Sequence, residues 1–407
     1  MLQRVLSSAG IDPRSCAELL GFNPQVFMQW ASGQSQIPES VLPLLSAVLS
    51  VPQSLLTTTP KSGRNLTDSD VTPQIWYKFR AAGLLDSDRE YVVLIRQIGH
   101  FLNELEEVTR QKSVQWSSVF DTIRRTVDIQ APPREQGKAA ASIFRQSTSL
   151  SHGAGGSGDV LRGLLRALGI LVVETPLADS PIEGCSFYVG STNAPRPCAF
   201  ANTHGTTWFR RNAILMHEVG HAIFEPFTGA SLDLVGADNL HDAIELRAQA
   251  FAQETLIPKE VLFHAAQSHG IKWSAVDESA LAQLVADIQV EQRLVVSAAI
   301  DAGFVEVERK DQLNRLDIHA ELRKLSDHAL STEEFLEKHP EHAVDWIGKR
   351  GTTLAPKSIL LPIGYVNVVV DAYRNRQISA AKGAEYLIIA EQEFIERFGD
   401  IYENAEV

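Results

Sequence analysis

Cysteine is nearly absent from this chain. Three residues, Cys16, Cys185 and Cys198, occur in 407, too few for a disulfide framework, which points to a reducing, cytoplasmic setting. No stretch approaches the roughly 20 apolar residues that a membrane helix needs, so no membrane partner is expected. The opening MLQRVLSSAGIDPRS lacks the charged-then-apolar pattern of a secretory leader. Positive charge is also scarce: 37 Lys and Arg stand against 50 Asp and Glu, a formal charge of −13. That balance excludes non-specific phosphate binding by the molecule as a whole, though not by a local patch. The glycine- and serine-rich STSLSHGAGGSGD (147–159) has no lysine at the spacing of a phosphate loop and reads as a flexible connector.

What is present is enough for sizeable cores. With 44% hydrophobic and 21% charged residues, the chain should be globular, and its length predicts two to four domains. The expected class is α+β, mostly helical. Residues 1–57 read as short helices. DPRSCAELLG closes at Gly21, and NPQVFMQWASG follows with Asn23 as N-cap and Pro24 at the first helical position. Two helices joined by so short a turn form a helix-turn-helix pattern similar to repressor-like regulatory modules. Its second helix offers Gln25, Met28 and Gln29 but no Lys or Arg. Across 1–57 only Arg4 and Arg14 are basic, against Asp12, Glu18 and Glu39. DNA binding is therefore weakly supported, and a surface for docking a protein or a second copy of the chain is an equal reading.

Residues 58–73 are polar and turn-rich, a linker. Helical periodicity dominates a connector over 74–135, beginning at Ile75. Within 136–310, DVLRGLLRALG predicts a helix stopped by Gly169, ILVVETP a buried strand, and CSFYVG and CAFANT two more strands joined by STNAPRP. Residues 311–407 are helical again, with a Pro/Gly-rich break near APKSILLPIG.

The chemistry is concentrated in ILMHEVGHAIFEP (214–226). Residues i and i+4 of a helix share a face, so His217 and His221 can aim ring nitrogens at one point, as tetrahedral zinc at about 2.0–2.1 Å requires. Glu218 lies about 100° round the helix, within reach of a metal-bound water without being a ligand. Gly220 permits close approach of a neighbouring element, and Pro226 ends the helix. A third ligand is needed. Downstream, DNLHDAIELRAQAFAQETLIP (238–258) carries an apolar stripe of Ile244, Ala248, Phe251 and Ala252. Glu245 borders that stripe; on spacing alone it could equally be a surface glutamate. His241 and Glu254 compete with it from positions further from the stripe.

HEVGHAIFE followed by ELRAQAFAQETLIP resembles the ImmA/IrrE metallopeptidases, whose His-Glu-x-x-His helix precedes a Glu-x-x-Ala-Asn-x-Phe-Ala segment. LGILVVETP, IEGCSFYVG and CAFANTHGTTWFRRNAILMHEVGH are similar as well, so that about 137–260 is covered. The resemblance implies a central zincin-like metallopeptidase domain with a small sheet, behind an N-terminal helix-turn-helix module. It implies Zn2+ as cofactor, His217, His221 and Glu245 as its ligands, and Glu218 as general acid/base. Gln249 departs from the family's Asn. The implied activity is site-specific cleavage of a regulatory protein, typically a repressor-like helix-turn-helix factor, in a stress or mobile-element response. The alternative is a non-proteolytic DNA- or protein-binding regulator with a structural or sensory zinc site. His204, Arg210, Arg211 and His241 are positional candidates for oxyanion stabilisation. Strands 185–189 and 198–202 are candidate edges for an extended substrate, and Cys185 or Cys198 a candidate fourth zinc ligand. The C-terminal residues lie outside the resemblance, with a sensory or regulatory role as the candidate.

Overall fold

In the computed structural model, residues 13–19, 22–38, 76–78, 101–110, 114–148, 158–177, 183–191, 194–224, 240–338, 343–346, 359–387 and 389–399 are described, together with isolated positions such as Leu2, Leu45 and Ile98. Most of LQRVLSSAG and PESVLPLLSAVLSV, the linker 58–73 and the glycine-rich 151–157 lie outside the described residues.

Helices α1 (Pro13–Leu19) and α2 (Pro24–Ser32) follow one another across a short turn. The Asn23 side chain accepts hydrogen bonds from the Gln25 and Val26 amides at 2.9 and 3.4 Å, and Gly33 at φ 75° closes the helix, each end capped by the residue type that suits it. The α2 face carrying Gln25, Val26, Met28 and Gln29 is exposed.

The central region begins with α3 (Gln115–Thr126), α4 (Pro133–Ser147) and α5 (Gly158–Leu168). The last stops at Gly169, whose φ of 86° is left-handed. Strands β2 (Leu171–Thr175), β3 (Gly184–Ser191) and β4 (Ala194–Asn202) come next, then α6 (Trp208–Phe224), α7 (Leu240–Leu256), α8 (Lys259–Ser268), α9 (Glu278–Ile288) and α10 (Gln292–Asp301). Short helices cover Lys310–Asn314, His319–Leu325 and Thr332–Lys338. β5 (Ala343–Trp346), in a stretch expected to be helical, pairs antiparallel with β6 (Ile359–Pro362), which lies at the expected Pro/Gly-rich break. Helices over Ile363–Arg374, Ala380–Leu387 and Glu391–Phe398 complete the described chain.

The main sheet has the order β1-β3-β4-β2. β3 and β4 form the expected antiparallel hairpin, with Gly184 opposite Ala201, and β2 runs parallel to β4. β4 is thus an interior strand and offers no edge. β1 (Trp76–Lys78) departs from the helical periodicity expected from Ile75: it pairs with the outer edge of β3, Lys78 opposite Ser186 and Trp76 opposite Tyr188.

Strand alternation gives the sheet two apolar faces. Leu171, Val173, Cys185, Phe187, Val189, Cys198 and Phe200 join one core with Leu2, Phe27, Ile98, Phe101 and, from the C-terminal helices, Val369, Leu387 and Phe394. Tyr188, Ala199 and Ala201 face the other core, built from α3 to α10. Arg196, buried on β4, ties the first layer down. It donates to the Gly169 carbonyl at 3.0 Å and pairs with Glu106 at 2.7 Å.

A second buried ion network fastens β2 to α5 and α6. Arg162 Nε meets Glu174 Oε2 at 2.6 Å, and Arg211 reaches Glu174 at 3.4 Å. Arg162 also stacks on Trp208, 3.8 Å from the ring centre, and donates to Asn212. Burial pushes the Glu174 carboxyl up, but the two guanidinium groups outweigh it and hold the group below its ordinary value of 4.5. A depressed folded pKa means that this contribution is complete above about pH 4.5 and is lost as pH falls through the lower folded value. Glu174→Gln should therefore destabilise the fold by about 3–5 kcal/mol at neutral pH, because two largely buried cations lose their partner. Thermal melts from pH 7 to 3 check both statements, since the variant should lack this acid-dependent component.

Candidate metal centre

Helix α6 is positioned by its apolar face. Leu215, Met216, Val219 and Ile223 are buried against the sheet and its neighbouring helices. On its other side lies α7, whose Ala248, Phe251 and Ala252 are buried as their spacing predicts. Close approach is possible because of Gly220: a Cβ there would sit 3.0 Å from Phe251 Cδ1 and 3.2 Å from Ala248 Cα. Gly137 does the same between α4 and α7, where a Cβ would lie 2.3 Å from the Arg247 carbonyl oxygen. Any larger residue would wedge the helices apart and move what they carry.

What they carry is a three-residue cluster. His217 Nε2 lies 3.0 Å from His221 Nε2 and 3.1 Å from Glu245 Oε2. One ligand atom from each of the three residues can be chosen so that all lie within 4.8 Å of one another. The imidazole rings are nearly perpendicular, at 85°. Donors about 2.0–2.1 Å from a tetrahedral ion stand about 3.3 Å apart, so the spacing fits, and two nitrogens with one carboxylate oxygen form a donor set suited to a divalent transition metal. His221 is buried, whereas the His217 and Glu245 side chains are 20% and 26% exposed. The cluster therefore has an inner wall and an open side. Among the described residues, this is the group of His, Cys, Asp and Glu that could hold a metal ion.

Glu218 stands beside the group without joining it. It is 5% exposed, and its Oε1 lies 2.9 Å from where a Cβ on Gly184 would be. The start of β3 thus passes directly over the carboxylate, and the lack of a side chain at 184 leaves it room. Nothing in the sequence pattern marks Gly184, because the closeness is between a strand and a helix 34 residues apart.

The competing candidates are placed elsewhere. Glu254 is half-buried beside Lys138, Arg145 and Glu260, with burial raising its carboxyl. For His241 only the helical backbone is described. Three of the oxyanion candidates are committed to carboxylates: His204 to Glu333 at 2.9 Å, Arg210 to Glu183 and Glu291 at 2.7 and 2.9 Å, and Arg211 to Glu174. Cys185 and Cys198 side chains belong to the core on the sheet face turned away from α6. Burial pushes both thiols up, Cys185 well up with the Glu218 carboxylate adding to the effect, and a protonated thiol is a poor ligand.

Far from this cluster in sequence, two side chains hold the end of α6. Arg124 Nε donates to the Ile223 carbonyl at 2.6 Å and Arg124 Nη2 to the Ala222 carbonyl at 3.1 Å. The Tyr188 hydroxyl donates to the same Ala222 oxygen at 2.7 Å. Neither was singled out by the sequence pattern.

No helix among the described residues is long and apolar enough to cross a membrane. Comparison with curated proteins and with solved structures finds no match. Residues 165–297, which contain α6, α7 and the whole three-residue cluster, match the peptidase M78 family model, described as the IrrE N-terminal-like domain, and this match supports kinship with the ImmA/IrrE family and a metallopeptidase role for that part of the chain.

Proposed function

We propose that this protein is a zinc-dependent, site-specific endopeptidase that cleaves a regulatory protein, a repressor-like helix-turn-helix factor, in a stress or mobile-element response. The observation that carries the reading is the meeting of His217, His221 and Glu245 from two helices, with a buried glutamate next to them. His217, His221 and Glu245 would hold the ion. A bound divalent zinc supplies Lewis acidity toward the scissile carbonyl and lowers the pKa of water. Glu218 takes a proton from the attacking water and delivers it to the departing amine, as a carboxylate fixed in a mostly buried pocket can. At the outer edge of β3 an extended substrate would have to add beside Gly184 and Cys185, beyond the reach of β1. β1 already occupies Ser186–Tyr188, two residues along from Gly184.

Gly184→Ala follows as a test of this arrangement. The added methyl would meet Ile214 Cγ2 at 2.6 Å and Glu218 Oε1 at 2.9 Å, so the carboxylate must shift. Cleavage should slow by about tenfold or more, since small misplacement of a catalytic group is costly, while metal content stays that of the wild type. An unchanged rate would show that Glu218 is not confined as described.

The whole reading is tested by metal analysis of the purified protein together with co-expression beside repressor-like proteins. About one zinc per chain and a cleaved repressor band are expected; a metal-free, inactive preparation rejects it. The N-terminal helices fit a protein-docking surface better than a DNA reader, because the exposed α2 face presents Val26 and Met28 and no cation. Sequence-specific, salt-dependent DNA binding by the full chain would favour the non-proteolytic regulator instead.

A further inference from the structure

An α-helix leaves its last four carbonyls without intrahelical donors, and its last turn frays. In α6 this weakness falls on a sensitive place. Ala222 directly follows His221, and its carbonyl would ordinarily accept from the amide four residues on. That residue is Pro226, which has no amide hydrogen to give. α6 ends at Phe224, so the Ala222 oxygen is one of its terminal carbonyls, and a proline at 226 cannot supply it with a backbone donor.

Donors come instead from two other elements. Tyr188 on β3 and Arg124 on α3 both donate to the Ala222 oxygen, and Arg124 also donates to the Ile223 oxygen. Three donors thus serve two carbonyls. Arg124 brings a positive charge to the negative end of the helix dipole, where it is favourable. Its side chain is 26% exposed and also lies 3.6 Å from Asp121, while Tyr188 is buried.

We propose that Arg124 and Tyr188 are positioning residues for the metal centre: they supply donors to the terminal carbonyls of α6 and so hold its last turn, and His221 with it, in ligating position. The proposal rests on the metal-centre reading above. Neither residue touches the ion or the substrate. Their effect is on how well the His221 nitrogen is placed before metal arrives, and sites of this kind tolerate only about 0.5 Å of error. Arg124 also lies outside residues 165–297, so a segment ahead of the matched domain completes its site.

The test uses the full chain. Zinc affinity is measured by competition with a chromophoric chelator for the wild type, Arg124→Ala, Arg124→Lys and Tyr188→Phe. Amide hydrogen exchange over residues 219–224 is followed in the metal-free proteins. Arg124→Ala should weaken zinc binding by about tenfold or more, within the range seen when groups behind a ligand are removed, and should speed exchange in the last turn of α6. Arg124→Lys, which keeps the charge but not the fork, should fall between it and the wild type. Tyr188→Phe should lose about threefold, consistent with one neutral hydrogen bond. Millimolar guanidinium should restore part of the affinity of Arg124→Ala, which a general loss of stability would not allow. Wild-type affinity and exchange in both Arg124→Ala and Tyr188→Phe would overturn the proposal. Should Arg124→Ala fail to fold, Tyr188→Phe and Arg124→Lys decide it. A wild type that binds no zinc would reject the metal centre instead, and in that case unaltered exchange in the variants would reject the clamp on its own.

Discussion

Replacing Glu218 with glutamine should lower kcat/KM for cleavage of the protein substrate by about a thousandfold, with metal content unchanged. The two side chains are nearly the same size, so glutamine fits the 5%-exposed pocket beneath Gly184 and packing is preserved. What is lost is the ability to accept a proton at the pH of the assay, an effect of about 10²–10⁴ in general acid–base catalysis. Because Glu218 is not one of the three clustered ligand candidates, zinc should still bind. Metal analysis and a cleavage time course on the same preparation check both halves. Full activity in Glu218→Gln would remove the glutamate from the mechanism.

His217→Ala should have the complementary effect, loss of metal and of cleavage together. His217 Nε2 is the central member of the cluster, 3.0 Å from one partner and 3.1 Å from the other, so its removal leaves two donors where three are needed. If roughly 10–16 kcal/mol of structural zinc binding is shared among four ligands, one ligand is worth about 3 kcal/mol, and affinity should drop by about a hundredfold or more. Dialysis against a weak chelator followed by metal analysis reads the result. Glu254→Gln is the control, since Glu254 lies among Lys138, Arg145 and Glu260 and its loss should leave zinc in place. Retention of metal by His217→Ala would mean that the ion is held elsewhere.

Local patterns in the sequence proved good guides to local structure. Asn23 and Gly33 bound α2, and Gly169 stops α5, because caps act through neighbours in the chain. The spacing of His217 and His221 put both rings on one face, and the apolar stripe of α7 brought Glu245 to them. Tertiary relations were hidden for the matching reason. Gly184 is needed only because β3 crosses above Glu218. Arg124 and Tyr188 matter only because α3 and β3 bring both to the Ala222 carbonyl. Trp76–Lys78 is a strand because the edge of β3 is there to pair with it, against the helical periodicity that begins at Ile75. The β5–β6 pair likewise arises from two short segments that find each other across 347–358.

The two-faced sheet also bears on how this protein can be handled. A fragment trimmed to residues 165–297 would keep His217, His221 and Glu245, yet it would discard Ile98, Phe101, Val369 and Phe394, which share a core with Leu171, Val173, Phe187, Val189 and Phe200. Those sheet residues would then face water as one broad oily surface, the kind on which separate chains adhere. The outer rim of β3, stripped of Trp76–Lys78, would offer open backbone groups for such chains to zip onto. The minimal preparation that stays dispersed must therefore reach well beyond the matched stretch on both sides.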